Sequence, residues 1–310
     1  MAKKKPAEAA PAATSLVLRT CNADSTSTNG FVWPAVGEKA ICPDWKANNE
    51  CGNGLHGWLF GQGDHGTAPN TGADALWLVV EVVSDSIIML GGKCKFPEAL
   101  VRFKGDRKRA TDFLRANEPR SLTCAVIGAS IEVGDHAAGE VGALGTLTGG
   151  NGSTLTGGNG STLTGGNGST LTGGNGSTLT GGNGSTLTGG NDSTLTGGNG
   201  STLTGGYDST LTGGNDSTLT GGNGSTLTGG NGSTLTGGND STLTGGNDST
   251  LTGGNDSTLT GGNGSTLVFA WWDSANRRRR IVVAEVGIDG IEANVAYKLD
   301  ANHKPAKVQS

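Results

Sequence analysis

Residues 146–153 read Thr-Leu-Thr-Gly-Gly-Asn-Gly-Ser, and the same eight residues recur in register through residue 265, fifteen copies in 120 residues. Leu147 opens a leucine column that advances by eight to Leu267. Only two positions vary: the Gly152 position becomes Asp192, Asp208, Asp216, Asp240, Asp248 and Asp256, and one Asn becomes Tyr207. A period this strict marks a stack of identical structural units. Within each unit, Ser-Thr-Leu-Thr has the composition of a short strand, and Gly-Gly-Asn-Gly that of a tight turn. Alternation along the strand sends Ser and Leu to one side and both threonines to the other. The leucine belongs inside. One strand and one turn do not close a coil, but two octamers do. The expected fold is therefore mainly β, a β-solenoid with two octapeptides, 16 residues, per coil. Fifteen octamers then make about seven and a half coils, a rod on the order of 35 Å long at the usual strand spacing.

Such a rod has a thin core, with Leu155, Leu163, Leu171, Leu179, Leu187, Leu195, Leu203, Leu211 and Leu219 as its central column. One leucine in eight residues is little apolar burial to set against the ordering entropy of a Gly-rich chain. Backbone ladders, Asn and Ser side-chain ladders and stacking between neighbours must supply the rest, as in other solenoids. A disordered Gly/Ser/Thr linker is the competing reading, but a linker has no reason to keep leucine in register.

Two families share this vocabulary. Gly150-Asn151-Gly152-Ser153-Thr154-Leu155-Thr156 keeps the Gly-x-Gly-Ser-Thr-x-Thr of the bacterial ice-nucleation octapeptide, Ala-Gly-Tyr-Gly-Ser-Thr-x-Thr, and the array, about two-fifths of the chain, resembles that family. It departs by carrying Asn in place of the tyrosine ladder, Tyr207 excepted, and it lacks a higher-order period. The calcium-binding nonapeptide toxins, Gly-Gly-x-Gly-x-Asp-x-apolar-x, also look similar. Here the period is eight, no Asp stands between the turn and the apolar residue, and nine of the fifteen copies have no carboxylate. Calcium takes roughly six to eight oxygen ligands.

The flanks divide the rest of the chain: 1–14 a disordered arm, 15–118 a small α+β domain, 119–145 a lead-in and N-terminal cap, 146–267 the solenoid, and 268–310 a C-terminal β-meander cap. Strands are expected at 15–21, 75–83, 87–90 and 99–103, and a helix at 106–116 with Ala110, Phe113 and Leu114 on one face. Residues 22–71 read as a long irregular stretch holding Trp33, Trp45 and Trp58. Cys51-Gly52-Asn53-Gly54-Leu55-His56-Gly57 resembles an uncharacterised bacterial and phage domain found beside octamer arrays of this kind. In the lead-in, Gly134, Gly142 and Gly150 already keep the spacing of eight. After Leu267 the chain turns to VFAWWD, with residues 274–276 as the first turn and the four arginines 277–280 beyond it. Those arginines read as solvated edge protection, with an acidic or phosphate partner as the alternative.

The net charge of −5 sits in the array, whose six Asp face no Lys or Arg, so nucleic acid is not an expected partner. No apolar run is long enough for a membrane helix, and the basic N-terminus lacks the apolar stretch of a secretory signal. A cytoplasmic location is expected, with a virion or surface location as the alternative; five cysteines without a signal argue for free thiols. Cys42, Cys51, His56 and His65 have metal-like composition, but their spacings of nine, five and nine match no zinc pattern. Cys51 and His56 as nucleophile and base lack an orienting third group. Lys93, Lys95, Arg102, Lys104, Arg107, Lys108 and Arg109 read as a solvated strand-and-helix face. No enzyme and no cofactor are expected.

The threonines remain. Each strand presents two of them roughly 6.7 Å apart, repeated at about 4.8 Å between coils, a flat lattice of hydroxyls and methyls. One face would carry Thr154, Thr156, Thr170, Thr172, Thr186, Thr188, Thr202, Thr204, Thr218, Thr220, Thr234, Thr236, Thr250 and Thr252. Together with the resemblance, this lattice implies contact with water or an ice surface, and a homo-oligomer through the solenoid's faces or ends. The alternatives are a rigid spacer in a bacterial or phage assembly, with threonine serving strand stability alone, and the calcium-binding toxin repeat.

Overall fold

A computed structural model describes residues 12–68 and 70–309. The first of two compact units ends at Ala129 and the second begins at Ser130. In the first, seven strands make one antiparallel sheet: β1 (Thr14–Cys21), β2 (Lys39–Ile41), β3 (Leu55–Leu59), β4 (Leu76–Val83), β5 (Ile88–Met89), β6 (Cys94–Phe96) and β7 (Glu98–Gly105), in the order β2-β7-β4-β1-β3-β6-β5. The sequence Ser-Leu-Val-Leu-Arg-Thr-Cys puts β1 in the middle, where every residue after Thr14 is buried. Its eight residues all pair with β4, from Thr14 against Val83 to Cys21 against Leu76. Pairing with β3 is short: Val17 meets Leu59 and Leu18 meets Trp58. Beyond that point β3 pairs with β6, His56 opposite Lys95.

Helix α1 (Arg107–Asn117) packs on β1, β4 and β7. Asp106 caps it, its carboxylate accepting from the Arg109 N–H at 2.9 Å. Ala110, Thr111 and Leu114 are buried; Phe113, expected on that face, is only partly buried and stacks on Phe103. Three strands escaped the sequence reading, β2 and β3 in the stretch read as irregular and β6 beyond it. Of the arm expected at 1–14, residues 1–11 lie outside the described residues; the Ala13 carbonyl accepts from the Ser84 N–H, and Thr14 already begins β1.

In the second unit each octamer is one strand and one turn, and successive strands alternate between two parallel sheets. Residue i pairs with i+16 throughout, Leu187 with Leu203 and Leu203 with Leu219. Each sheet stacks nine parallel rungs rather than seven or eight. Two rungs in the lead-in, Ser130–Val133 and Ala138–Val141, join the ladders beneath Thr146–Gly149 and Thr154–Gly157, and Thr266–Asp273 adds the last. Residues 119–129, read as part of the lead-in, go with the first unit instead.

Each sheet then finishes in antiparallel strands. Arg278–Glu285 folds back on Thr266–Asp273 through a four-residue turn, 274–277, one residue longer than expected, with Arg277 at φ +50°. On the other sheet Ala296–Leu299 pairs with Thr258–Thr260, and Pro305–Lys307 follows it. Phe269, Val286 and Tyr297 continue the buried column past Leu267.

Every leucine from Leu147 to Leu267 is at most 1% exposed, and every serine from Ser153 to Ser265 at most 2%. The buried hydroxyls are not orphans: Ser201 Oγ donates to the Gly182 carbonyl at 3.2 Å, and its equivalents repeat the bond. Along the turns the Asn Oδ1 atoms from Asn151 to Asn247 accept from the backbone N–H sixteen residues on, as Asn183 does from Asn199 at 2.9 Å, and Asn255 accepts from Trp272 instead. Asp135 opens one of these ladders by accepting from Asn151, so the lead-in starts the pattern with a carboxylate. Tyr207 donates its backbone N–H to Asn191 Oδ1 but has no side-chain amide oxygen to accept from the next coil, which removes one rung beneath Asn223.

Candidate functional site: the threonine faces

The strand pattern is exposed-buried-exposed, with Leu beneath and a threonine on either side. Buried Leu and Ser lie beneath the strands and Asn ladders run along the turns at both edges, so the threonines stand on a regular, hydrogen-bonded support. Of the fourteen threonines named from sequence, all lie on one parallel sheet; thirteen are exposed, and Thr252, near the closing strands, is partly covered. Registers such as Thr202 with Thr218 and Thr204 with Thr220 make two straight files about 4.8 Å per step.

The opposite sheet carries an equivalent set that the sequence reading left out: Thr146, Thr148, Thr162, Thr164, Thr178, Thr180, Thr194, Thr196, Thr210, Thr212, Thr226, Thr228, Thr242, Thr244, Thr258 and Thr260. The signal was already present, since every octamer has the same Thr-Leu-Thr and successive octamers alternate sides. Neither face is chemically privileged along its middle rungs.

The turn edges carry the charge. Asp192, Asp208, Asp240 and Asp256 share one edge, and Asp216 and Asp248 the other, because equivalent positions lie sixteen apart. All six adopt φ between 55° and 59°, the left-handed region that the glycines at the same position occupy. Asp tolerates that region better than most side chains.

The other candidates disperse. Cys42, Cys51 and His56 line one recess of the first unit, while His65 stands apart, its Nδ1 3.9 Å from Asp64. Among the described residues no group of three or more His, Cys, Asp or Glu is placed to hold a metal ion, and no hydrogen bond joins Cys51 to His56. Cys42 Sγ donates to Asp44, and burial pushes its thiol up. The five cysteines are free, and burial drives the Cys94 thiol up to about 12. Of the basic residues, Arg102, Arg107, Lys108 and Arg109 are exposed, as expected of a solvated face, whereas Lys93 and Lys104 are half-buried and Lys95 is not on that face at all. Lys95 is fully buried, Lys104 donates to Ser25 and the Trp33 carbonyl, and Arg102 pairs with Glu81. Arg280 pairs with Asp273 at 2.8 Å, and Arg278 and Arg279 are exposed on the outermost strand of their sheet.

Residues 15–116 match DUF7666, a domain of unknown function. Curated relatives bear the name ice nucleation protein: one from Xanthomonas campestris pv. translucens is 38% identical over 125 residues, one from Pseudomonas fluorescens 39% over 111, and InaU of Pantoea ananas 38% over 111. The array resembles ice nucleation protein repeats. These matches cover 35–40% of this chain but only 8–10% of each relative, so the chain spans a small part of their length. No solved structure matches. Among the described residues no helix is long and apolar enough to cross a membrane.

Proposed function

We propose that this is a non-enzymatic repeat protein of the ice-nucleation type whose threonine faces order water. The observation that carries the reading is the pair of in-register threonine lattices, exposed on parallel ladders with leucine buried beneath. Hydroxyls held at repeated spacing anchor water by hydrogen bonds, and the methyls beside them limit the geometries that water adopts. The likeness to proteins named for ice nucleation supports the same reading. Each face is small: seven or eight threonine rungs at about 4.8 Å, and two threonines wide. A single molecule of this size suits binding to ice better than nucleating it, and nucleation would need several arrays aligned in an oligomer. A rigid spacer is the rival.

The test measures thermal hysteresis, ice-crystal shaping and droplet freezing on the full chain. Beside it stand two variants: Lys at Thr202, Thr204, Thr218 and Thr220 on one face, and Lys at these and at Thr210, Thr212, Thr226 and Thr228 on the other. Circular dichroism checks that each remains folded. The expected result is partial loss in the first variant and near-complete loss in the second. Wild-type protein that neither shapes ice nor raises the freezing temperature in any oligomeric state would leave the spacer.

A further inference from the structure

We propose that the first unit binds a small anionic ligand, through phosphate- or carboxylate-type oxygens, where β1 and β3 part, with Arg19, Thr20, His56 and Lys93 as its donors. The site is independent of the threonine faces and of what they do.

The parting of the strands builds it. Pairing between β1 and β3 stops at Leu18 and Trp58, and β3 continues along β6. Arg19 enters the fork, 8% exposed, its guanidinium donating to the Thr20 and His56 carbonyls and to Ser27 Oγ and lying 4.0 Å over the Trp33 ring. These contacts satisfy its N–H groups only in part and leave its charge unanswered. Among the described residues no carboxylate pairs with Arg19, Lys93 or the fully buried Lys95. A buried cation without a counter-charge is costly unless something supplies one.

Beside it is a cavity of about 40 Å³ lined by Arg19, Thr20, His56, Trp58, Thr67 and Lys93, and a recess of about 230 Å³ shares four of these residues. Two buried side-chain atoms among the described residues have no hydrogen-bond partner, Thr20 Oγ1 and His56 Nε2, and both belong to residues of this one cavity. Thr20 itself is only 2% exposed. The remaining polar wall is already spent: Trp58 Nε1 donates to the Asp64 carbonyl, and Thr67 Oγ1 donates to it as well. Native structures leave few buried polar atoms unpaired, and each needs an explanation.

The unspent groups are all able to donate. Thr20 has its hydroxyl, His56 can present Nε2–H as a neutral tautomer, and Lys93 has its ammonium; an oxyanion in the cavity they line with Arg19 would accept from them and supply a negative charge beside the guanidinium. Burial, and then the charges of Lys93, Arg19 and Lys95, hold His56 down to about 4, so it is neutral near pH 7. A cation is excluded by the same surroundings, where Asp44 is the one carboxylate lining the adjoining recess.

The experiment uses the full chain and follows tryptophan fluorescence and melting temperature during titration with sodium phosphate and with sodium acetate, each against sodium chloride at matched ionic strength. A saturable response to phosphate, to acetate or to both, absent with chloride, is expected, and the stronger of the two names the ligand's headgroup. Thr20→Val removes the unpaired hydroxyl without changing shape, and Lys93→Met removes a partly exposed charge outside the fork. Each should weaken the response at least tenfold while leaving the ligand-free melting temperature within a few degrees of wild type. A cavity that holds only water gives no saturable response to either anion, and that result overturns the proposal. So does an unchanged affinity in Lys93→Met, which is read even if Thr20→Val proves unstable.

Discussion

Gly198→Ala and Gly200→Ala sit two residues apart in one turn and should differ sharply. An added Cβ at Gly198 would lie 2.2 Å from Asn183 Oδ1, 2.7 Å from its backbone N and 2.9 Å from its Cα. Backbone of the preceding coil cannot swing aside as a flexible side chain can. Relief requires the coils to separate locally, which also stretches the 2.9 Å bond from the Asn199 N–H to Asn183 Oδ1. Overpacking of this kind costs about 1–3 kcal/mol, and the lost hydrogen bond adds about 1 kcal/mol. At Gly200 an added Cβ meets nothing within 4 Å, and φ is +65°. The only penalty is left-handed strain, about 1–2 kcal/mol, partly offset by about 0.4–1 kcal/mol from a stiffer unfolded chain. The unfolded-chain gain is common to both alanine changes, so urea melts of the full chain, followed by circular dichroism, should place Gly198→Ala about 1–2 kcal/mol below Gly200→Ala, and Gly200→Asp close to wild type. Equal midpoints for the two alanine variants would refute the reasoning, because the contrast rests on the close approach of successive coils.

Two further outcomes follow. Leu203 is fully buried between Leu187 and Leu219, so Leu203→Asp should cost more than the roughly 2–5 kcal/mol of a Leu→Ala change, and hydrogen exchange should locate the loss in those three coils, while Thr204→Ser at an exposed position changes little. His56 has its folded pKa at about 4 against an ordinary 6.5. The unfolded chain therefore binds the proton first, and the neutral imidazole's contribution, full above pH 6.5, is lost as pH falls from about 6.5 to about 4. A chloride-buffered pH series of melting midpoints should show that slope reduced in His56→Asn, and identical slopes would remove the argument.

The glycine contrast also accounts for the array's own pattern of change. The position of Gly200 demands a backbone conformation and leaves space, so Asp takes it in six copies. The two glycines before Asn demand space itself: a Cβ at Gly197 would press on Ser201 and Leu203, and one at Gly198 on Asn183. They do not vary. Period, strand, leucine column and threonine direction were legible because each is a local alternation repeated fifteen times. The second threonine face follows from that same alternation and needed only a coil count carried through to both sides. The number of coils was not legible from the octamers, because the rungs at Ser130–Val133 and Ala138–Val141 keep the backbone geometry with other residues. Gly139 there takes the place of a leucine and leaves room for Leu147.

The first unit was harder to read for the opposite physical reason. Its missed strands are three to five residues long, Lys-Ala-Ile, Leu-His-Gly-Trp-Leu and Cys-Lys-Phe, too short for alternation to stand out. Their identity comes from distant partners, β2 from β7 and β6 from β3. The fork at Arg19 has no sequence signature either, because its donors come from residues 19, 20, 56 and 93, and what unites them is where one pairing stops. Composition drew attention to His56 as a partner of nearby cysteines, whereas its unpaired nitrogen belongs to a cavity with Thr20 and Arg19. A buried arginine in a central strand was the one clue available beforehand. Leu-Arg-Thr in a segment otherwise reading as continuous core obliges the fold to provide carbonyls for a guanidinium, and a sheet supplies spare carbonyls only where its strands separate.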